Sequence, residues 1–272
     1  MKEWHQMAGN EHVPHPEMRQ HGEGACPLCH GTDFETLGEK NGFELVSCGG
    51  CGLRFVRDMP SASELDAFYK QYYANEKNER NATRKVRRWW RKLLPLKLLA
   101  RKGNFLDLGC NIGFAVEAAR RLGFKATGYD LSEQAIGLAR SAYGQCDFNV
   151  GTAQDAASKG VRYDAVLCAE MIEHLTELET LAHALSFLVR PGGILYLTTP
   201  DAGRYRTAPQ LLAWKEVCPP EHLIYFGRDQ ISRFLRNAGF EVLFFLPVLH
   251  KPSLRVIARR MPEAATPGIE TP

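Results

Sequence analysis

Two carboxylates and an imidazole lie within five residues of one another in the run Glu170-Met-Ile-Glu173-His174, and a second histidine, His222, follows in Pro-Pro-Glu-His. An imidazole titrates close to neutral pH, so His174 or His222 could remove a proton as a general base. Carboxylate and imidazole together also suit Mg²⁺ or Mn²⁺. In a third interpretation the groups form structural hydrogen bonds, with Glu173 only orienting His174. The residues alone leave these three roles open.

Four of the eight cysteines form a second group with chemistry in its spacing. Cys26-Pro-Leu-Cys29 and Cys48-Gly-Gly-Cys51 are two C-x-x-C pairs with eighteen residues between them. This spacing is typical of a four-thiolate zinc ribbon, and so short a segment has too little core to fold without metal. Because four sulfur ligands leave no open coordination position, the predicted zinc is structural and not catalytic.

A glycine turn and two strand-end carboxylates form the third candidate site. The run FLDLGCNIG, which contains Asp107, Gly109 and Gly113, reads as a strand, a turn and the start of a helix. It differs from the G-x-G-x-x-G dinucleotide fingerprint, because it has two glycines and an acidic residue inside the strand end. A carboxylate there suits a cationic ligand. Asp130, which ends the next strand, is placed to accept both hydroxyls of a ribose.

The elements that must position these groups follow from the pattern after Lys102. Short apolar runs alternate with amphipathic stretches, and the runs are NFLDLG, KATGYD, YDAVLCAE, ILYLTTP and EVLFFLP. This β-α-β-α order predicts an α/β fold with a doubly wound, parallel sheet, which binds its ligands at the carboxyl ends of the strands. Pro191-Gly192-Gly193 is predicted to end one helix, and Pro200 to end the strand that follows.

The motifs LDLGCNIG, GYDLS, YDAVLCAEMIEHL, LVRPGGILYLTTP and PPEHLIYF resemble, in that order, those of class I S-adenosylmethionine-dependent methyltransferases. The resemblance covers roughly residues 102–250 and implies a Rossmann-like, seven-stranded sheet whose last strand pair is antiparallel. The cysteine module with its CGLRFV run resembles the front end of a bacterial subfamily often associated with cell-surface saccharide or natural-product pathways.

The resemblance also implies a cofactor site for S-adenosylmethionine. It places the methionine part at the turn and the ribose and adenine beyond it, on Asp107, Gly109, Asn111, Gly113, Asp130, Thr152, Ala153 and Gln154. Two departures from the family pattern stand out. Asn111 occupies a position where such enzymes usually carry glycine, and no acidic residue comes directly after Gly151.

The implied activity is methyl transfer to a small-molecule or saccharide-type acceptor, on oxygen rather than on carbon or nitrogen. The E-x-x-E-H run resembles that of the small-RNA 2′-O-methyltransferases, which also use a later histidine, and that of the ubiquinone-pathway O-methyltransferases. Other family members carry the Glu-His pair without an established metal. Two further hypotheses are an RNA methyltransferase, acting on a ribose 2′-oxygen or on a base, and a catalytically silent adaptor that binds zinc and the cofactor.

Composition bounds these hypotheses. With 272 residues, 44% hydrophobic content and a net charge of +3, the chain can bury one full core and a small appendage. It contains no run of about 18 apolar residues and no apolar signal-peptide centre, so we expect a cytoplasmic protein without a transmembrane segment. The predicted organisation is a disordered tail (1–24), a zinc ribbon (25–58), a basic helical connector (59–101), the methyltransferase domain (102–259) and a second disordered tail (260–272).

The connector carries the most uneven charge in the chain. Residues 84–102 hold nine basic side chains and no acidic one, with tryptophans and leucines between them. Such a stretch could contact an anionic membrane or RNA. Alternatively, its apolar stripe packs on the catalytic domain and its charges are solvated.

Overall fold

The computed structural model describes residues 24–61, 63–65, 68, 81–100, 103–248 and 251–262. Nearly all of the two predicted tails, most of residues 62–80 of the predicted connector, and residues 101 and 102 of the basic stretch lie outside the described residues. In the described start of the connector, the backbone N–H of Ser61 donates to the Glu64 carboxylate at 2.8 Å, and the N–H of Glu64 donates to Ser61 Oγ at 3.4 Å. These reciprocal bonds form a capping box.

Strands and helices alternate through most of the described chain. The strands are β1 (Phe34–Lys40), β2 (Phe43–Cys48), β3 (Arg54–Val56), β4 (Asn104–Leu108), β5 (Lys125–Asp130), β6 (Asp147–Val150), β7 (Tyr163–Ala169), β8 (Val189–Pro200), β9 (Ile224–Tyr225), β10 (Phe240–Phe245) and β11 (Ser253–Arg260). The helices are α1 (Ala82–Lys92), α2 (Leu94–Leu99), α3 (Phe114–Arg121), α4 (Glu133–Ala142), α5 (Ala153–Ser158), α6 (Leu178–Leu188), α7 (Ala208–Leu212) and α8 (Arg228–Asn237). Short 3₁₀ turns cover Ile172–His174 and Ala202–Arg204.

The larger sheet has seven strands in the order β10-β11-β8-β7-β4-β5-β6. Strands β4 to β8 pair in parallel, whereas β11 is antiparallel to both β8 and β10. This architecture confirms the predicted doubly wound α/β fold and its antiparallel last pair. Because the strand order reverses between β4 and β7, the connections leave a crevice at the carboxyl ends of these strands.

Alternating side chains cover both faces of the sheet. Along β4, Phe105 belongs to the apolar cluster on one face and Leu106 to the cluster on the other, and both side chains are fully buried. Successive strand residues point to opposite faces, so a strand with helices on both sides must be apolar throughout. This explains why the central strands read as continuous apolar runs in the sequence.

The structure differs from the sequence prediction at Pro191-Gly192-Gly193, which does not end α6. The helix ends at Leu188, and β8 begins at Val189, which pairs with Tyr163. The register between β7 and β8 then shifts before Ile194 pairs with Ala165. Val189 is β-branched and fully buried, so it fits the sheet better than a helix end. The Pro-Gly-Gly segment is therefore a bulge inside the strand.

The cysteine module and the α/β domain share a sheet. The smaller sheet has the order β1-β2-β3-β9, and its last strand comes from the domain, with Phe55 paired to Ile224 and Arg54 to Tyr225. Arg54 also donates to the carbonyl oxygens of Ala202 and Tyr205 at 3.0 and 2.7 Å. The module is thus anchored to the segment that follows His222.

The connector helices pack against the same domain. Three connector side chains are buried in the apolar cluster that contains Phe105 and Val116. They are Val86 of α1, Leu93 between the two helices and Leu96 of α2. This packing supports the interpretation in which the apolar stripe of the basic stretch covers the domain, and contact with a membrane or RNA stays a prediction. Across the described ranges, no helix combines the length and the apolar character that crossing a membrane requires.

The turn after β4 gives a test of the fold. Gly113 has a φ of +81°, and a Cβ added there would lie 2.6 Å from the ring of Phe148. We expect Gly113→Ala to lower the free energy of unfolding by about 2–4 kcal/mol, because a left-handed backbone and an overpacked contact both carry a cost. Urea denaturation measures the difference. Gly137→Ala is the matched control, since its Cβ meets open space on α4, and we expect it to stabilise by about 0.5–1 kcal/mol. Equal unfolding midpoints for the two variants would contradict this description of the turn.

Candidate active site

The carboxyl ends of β4, β5, β7 and β8 surround a cavity of about 590 Å³. Eleven of the twelve residues predicted as catalytic or cofactor-binding line this cavity: Asp107, Gly109, Asn111, Asp130, Thr152, Ala153, Gln154, Glu170, Glu173, His174 and His222. The twelfth, Gly113, faces Phe148 and Ala139, where it lets α3 pack closely. The parallel sheet thus brings three separate sequence motifs to one place.

The turn between β4 and α3 keeps its shape with asparagine in place of one glycine. Gly109 and Asn111 have φ values of +72° and +48°, and the N–H groups of Gly109 and Cys110 both donate to the Tyr129 carbonyl at 2.9 Å. Asparagine enters the left-handed region more readily than other residues with a side chain. Asn111 therefore departs from the family pattern without opening the turn.

Two carboxylates lie buried on either side of this turn. The side chain of Asp130 accepts the N–H of Asn111 at 2.7 Å through one oxygen and that of Ser132 at 3.0 Å through the other. Burial raises the pKa of Asp130, and these backbone donors oppose the rise. Burial, and then the charge of Asp130, raises the pKa of Asp107 well above its usual range. A positively charged ligand would lower the pKa of Asp107 again. The ligand implied by the resemblance, a sulfonium compound with an amino group, carries such charge.

The far end of the crevice combines a helix cap with an exposed leucine. Thr152 caps α5 by accepting the N–H of Asp155 at 3.1 Å, and Asp155 accepts the N–H of Thr152 at 2.8 Å. No acidic residue comes directly after Gly151. Asp155, four positions after Gly151, is acidic, and its carboxylate belongs to the helix cap. Leu131 leaves 61% of its surface exposed and lines the cavity directly after Asp130. The exposed apolar side chain of Leu131 can therefore pack against a flat ligand in the cavity.

Glu170 is held at the mouth of the cavity by β8. Its φ of +52° places it in the left-handed region, its N–H donates to the Thr198 carbonyl at 2.8 Å, and its carboxylate accepts the Thr198 hydroxyl at 2.8 Å. Non-glycine residues in this region store backbone strain, which concentrates at functional sites. The strained backbone directs the chain from β7 into the turn that carries Glu173 and His174.

Glu173, His174 and His222 form a compact cluster. One candidate ligand atom from each lies within 4.8 Å of the other two, and the imidazole centroids are 4.7 Å apart. Nδ1 of His174 lies 2.6 Å from the Glu221 carbonyl, and Nδ1 of His222 lies 2.8 Å from that of Glu216. Because a carbonyl accepts hydrogen bonds, Nδ1 of each imidazole carries a proton.

Burial sets the charge state of this cluster. Burial, and then the charge of Glu170, raises the pKa of Glu173 well above its usual range, although one of its oxygens accepts the Thr199 hydroxyl at 3.0 Å. The other oxygen, Oε1, is buried without a hydrogen-bond partner among the described residues. Burial also lowers the pKa of His174 to about 3, and His222 adds to this effect. Near neutral pH His174 is therefore uncharged, and its lone pair is a weaker base than that of an exposed imidazole.

The cysteine module holds the loop that carries His222. The N–H of Val56 donates to the Leu223 carbonyl at 2.9 Å, and the N–H of Leu223 donates to the Glu173 carbonyl at 2.8 Å. Gln230 adds a bond from its side-chain amide to the Cys51 carbonyl at 2.8 Å. A continuous set of backbone bonds therefore joins β3 of the module to both halves of the histidine cluster.

The four cysteines converge as their spacing predicts. Their sulfur atoms lie within 4.8 Å of one another, and the Sγ–Sγ distances are 3.5 Å for Cys26 with Cys51 and for Cys29 with Cys48. A tetrahedron with Zn–S bonds of about 2.3 Å has edges of about 3.8 Å, so the arrangement fits a zinc ion. The structure thus shows the four-cysteine cluster on which the zinc prediction depends.

Sequence reasoning missed one wall of the cavity. Cationic and aromatic side chains from α1 and from the chain entering β11 line it: Lys85, Arg88, Trp89, Lys92, Lys251 and Arg255. The α1 members follow a spacing of three or four residues and so share one helix face. That spacing is visible in the sequence, but only the structure shows that this face looks into the cavity and not into solvent.

Comparison with known protein families identifies the family to which this fold belongs and the cofactor that the family uses. The family pattern described as a methyltransferase domain matches residues 78–243. The chain belongs to the class I S-adenosylmethionine-dependent methyltransferases. This methyltransferase is similar to the ubiquinone biosynthesis O-methyltransferase of Azoarcus sp., with 29% identity over 164 residues that cover 56% of the chain and 70% of the relative. The protein of the same name from Sinorhizobium fredii is 36% identical over 175 residues, which cover 59% of the chain and 69% of the relative.

Solved structures show the same fold. A protein of Pyrococcus horikoshii superposes with a TM-score of 0.55 and 21% identity, over 70% of the methyltransferase and 98% of that chain. An S-adenosylmethionine-dependent methyltransferase from Mesorhizobium loti gives a TM-score of 0.51 at 17% identity, over 63% and 97% of the two chains. The family match over residues 78–243 does not include the cysteine module. The methyltransferase domain is thus a common scaffold with an added module in front.

The depressed pKa of His174 predicts a pH dependence. A histidine whose pKa is lower in the folded state than its unfolded value of about 6.5 contributes stability above that pH and loses it as the pH falls towards 3. The free energy of unfolding should fall below pH 6.5 by at most about 1.4 kcal/mol per pH unit from this residue. Ring-labelled NMR should show a neutral His174 with the proton on Nδ1 from pH 5 to 8. His174→Gln is the control and should flatten the dependence. A ring titration midpoint near 6.5 would contradict the burial described here.

Proposed function

We propose that this methyltransferase transfers the cofactor's methyl group to a hydroxyl oxygen of a small-molecule or saccharide-type acceptor. The cluster of Glu173, His174 and His222 carries the proposal, since it lies in the same cavity as the cofactor turn. An attacking hydroxyl must lose a proton and must be held in line with the methyl group. Imidazole and carboxylate groups serve both needs. The similar proteins from Azoarcus and Sinorhizobium fredii are named O-methyltransferases, which supports oxygen as the acceptor atom.

The cofactor residues divide the cavity into two parts. Asp107, Gly109 and Asn111 would hold the methionine part, Asp130 the ribose, and Thr152 with Ala153 the adenine. When bound, S-adenosylmethionine supplies an activated methyl group on a sulfonium. A carboxylate has about four acceptor positions, so Asp130 can bind two ribose hydroxyls in addition to its two backbone donors. The cofactor would then lie along the β4 and β5 ends and leave Glu170 and the cluster to the acceptor.

Removal of the Asp130 carboxylate tests the ribose position. We expect Asp130→Ala to weaken binding of S-adenosylhomocysteine roughly 30- to 200-fold, because charge-assisted hydrogen bonds to two hydroxyls are worth about 2–3 kcal/mol. Isothermal titration calorimetry gives the affinity. Asp164→Ala is a matched control, since Asp164 accepts the Asn104 N–H near the opposite ends of the strands. Equal affinity in the wild type and Asp130→Ala would exclude this ribose site.

The unpartnered Oε1 of Glu173 favours a second role for the cluster, as a divalent cation site. One carboxylate and two neutral imidazoles whose Nδ1–H groups donate to carbonyls are a common ligand set for such ions. Mg²⁺ or Mn²⁺ would be held by Glu173, His174 and His222 and would position acceptor oxygens. Glu170 belongs to this site only indirectly, because its carboxylate accepts the Thr198 hydroxyl. In the alternative role, the cluster removes the proton without a metal.

Variants of the cluster should separate turnover from cofactor binding. We expect His174→Ala and His222→Ala to lower methyl incorporation by about 10²- to 10⁴-fold while S-adenosylhomocysteine affinity changes little, because the histidines face the acceptor. The assay uses radiolabelled cofactor and a bacterial metabolite extract, separated into small-molecule, lipid and RNA fractions. The label should enter the small-molecule fraction. Full turnover by the double variant would defeat both roles.

Mn²⁺ binding distinguishes the two roles without an acceptor. If the cluster holds a cation, electron paramagnetic resonance should show one Mn²⁺ bound to the wild type and none to Glu173→Gln, since Oε1 is then lost as a ligand. Cys146→Ser, whose cysteine does not line the cavity, is the control and should retain this ion. An absence of bound Mn²⁺ in the wild type would leave proton removal as the role of the cluster.

The four cysteines are proposed to hold one structural zinc ion. We expect elemental analysis to give one zinc per chain, and Cys48→Ser to lose it, because three thiolates bind zinc more weakly than four. Hydrogen exchange should then rise at Val56, whose N–H bonds to the loop after His222. Cys146→Ser, which removes a cysteine beside Glu117, should keep its zinc. Zinc-free wild-type protein with an intact module would contradict this proposal.

A further inference from the structure

The cavity wall formed by α1 and the chain around the start of β11 carries four cations that the proposed reaction does not use: Arg88 and Lys92 of α1, Lys251, and Arg255 of β11. We call these four residues the cationic wall. Arg255 pairs across the sheet with Thr198, the residue whose hydroxyl donates to Glu170. The wall therefore borders Glu170 and shares the cavity with the histidine cluster. A ligand in contact with the wall would lie where the acceptor must lie.

Among the described residues, the acidic groups that face the wall leave three of its cations without a close counter-ion. Lys251 pairs with Glu216 at 3.3 Å, and Glu170 is bound by Thr198. Within the described part of the chain, no carboxylate lies within 4.0 Å of Arg88, Lys92 or Arg255. Lys92 instead stands over the ring of Trp89, 4.1 Å from its centroid. The wall thus has an excess of positive charge in a partly enclosed cavity.

This excess destabilises the empty cavity. Burial, followed by the charges of Arg255 and Arg88, lowers the pKa of Lys92 to about 8, while the charge of Glu170 opposes the shift. Like charges in a partly desolvated place repel more strongly than on an open surface. An anion placed between them would replace repulsion by charge-assisted hydrogen bonds, and guanidinium groups match the oxygens of carboxylate and phosphate.

We propose that the acceptor carries an anionic oxygen group, a carboxylate or a phosphate, which binds between Arg88, Lys92 and Arg255. The proposal rests on the proposed function, since it names the chemical class of the molecule that receives the methyl group. The anionic group fixes one end of the acceptor at the wall, and the hydroxyl to be methylated lies towards Glu173 and His174. The wall is thus a specificity-determining site, and a neutral analogue of the acceptor binds more weakly.

Anion binding to the cofactor-saturated protein tests the proposal. The protein is saturated with S-adenosylhomocysteine and titrated by calorimetry with inorganic phosphate and with benzoate, at constant ionic strength set with chloride. Benzamide is the neutral control for benzoate. We expect one of the two anions to bind, benzamide to bind at least about tenfold more weakly, and Lys92→Gln and Arg255→Gln to weaken the anion about tenfold or more. The preferred anion then identifies the group as phosphate or carboxylate.

Arg91→Gln is the matched control, because Arg91 is an exposed residue of α1 that does not line the cavity. The anion affinity of Arg91→Gln should stay within about twofold of the wild-type affinity. If Arg91→Gln lost as much anion affinity as Lys92→Gln and Arg255→Gln, the effect would come from the general positive charge of α1, and the proposal would be overturned. Binding of neither anion would also overturn it. A third contrary result is that the Lys92 and Arg255 variants bind S-adenosylhomocysteine more weakly but bind 5′-methylthioadenosine, which lacks the carboxylate, with unchanged affinity. The wall would then bind the cofactor's own carboxylate. Failure of S-adenosylhomocysteine to bind the wild type would instead refute the proposed function.

Discussion

The removal of ionisable groups from water at one edge of the sheet is the constraint on which the rest of the structure depends. Parallel strands bring Asp107, Asp130 and Glu173 to the same crevice, and burial raises the pKa of each carboxyl group. Such burial costs folding free energy unless partners compensate for the lost water. Backbone donors compensate Asp130, whereas Oε1 of Glu173 has no hydrogen-bond partner among the described residues. The proposed cofactor and acceptor would supply interactions at this edge of the sheet.

The cysteine module takes part in this arrangement through backbone bonds. Its strand β3 completes a small sheet with β9, which begins two residues after His222. The loop that carries His222 would otherwise be a long excursion between β8 and α8, where its conformation would cost entropy to fix. The four-cysteine module on one side and the Glu173 carbonyl on the other restrain it. No described residue of the module lines the cavity, and the module contacts the cluster through this loop.

Much of the fold and the site could be predicted from the sequence, because both follow from local patterns. Apolar runs separated by helices determine a parallel sheet, and the carboxyl ends of such a sheet determine where Asp107, Asp130 and Glu170 meet. The bulge at Pro191 was not predictable, since it depends on how Val189 pairs with Tyr163. The cationic wall was also missed. Lys92 and Arg255 are 163 positions apart, and only the packing of α1 beside β11 brings them together.

A crystal structure of the methyltransferase with S-adenosylhomocysteine tests the central claim most directly. We expect both ribose hydroxyls to lie within hydrogen-bond distance of the Asp130 carboxylate. The amino group of the ligand should lie at the turn that follows Asp107. The sulfur atom should face the space between Glu170 and the histidine cluster. A ligand seated elsewhere, or one whose sulfur points away from Glu173 and His174, would contradict the assignment of the cavity.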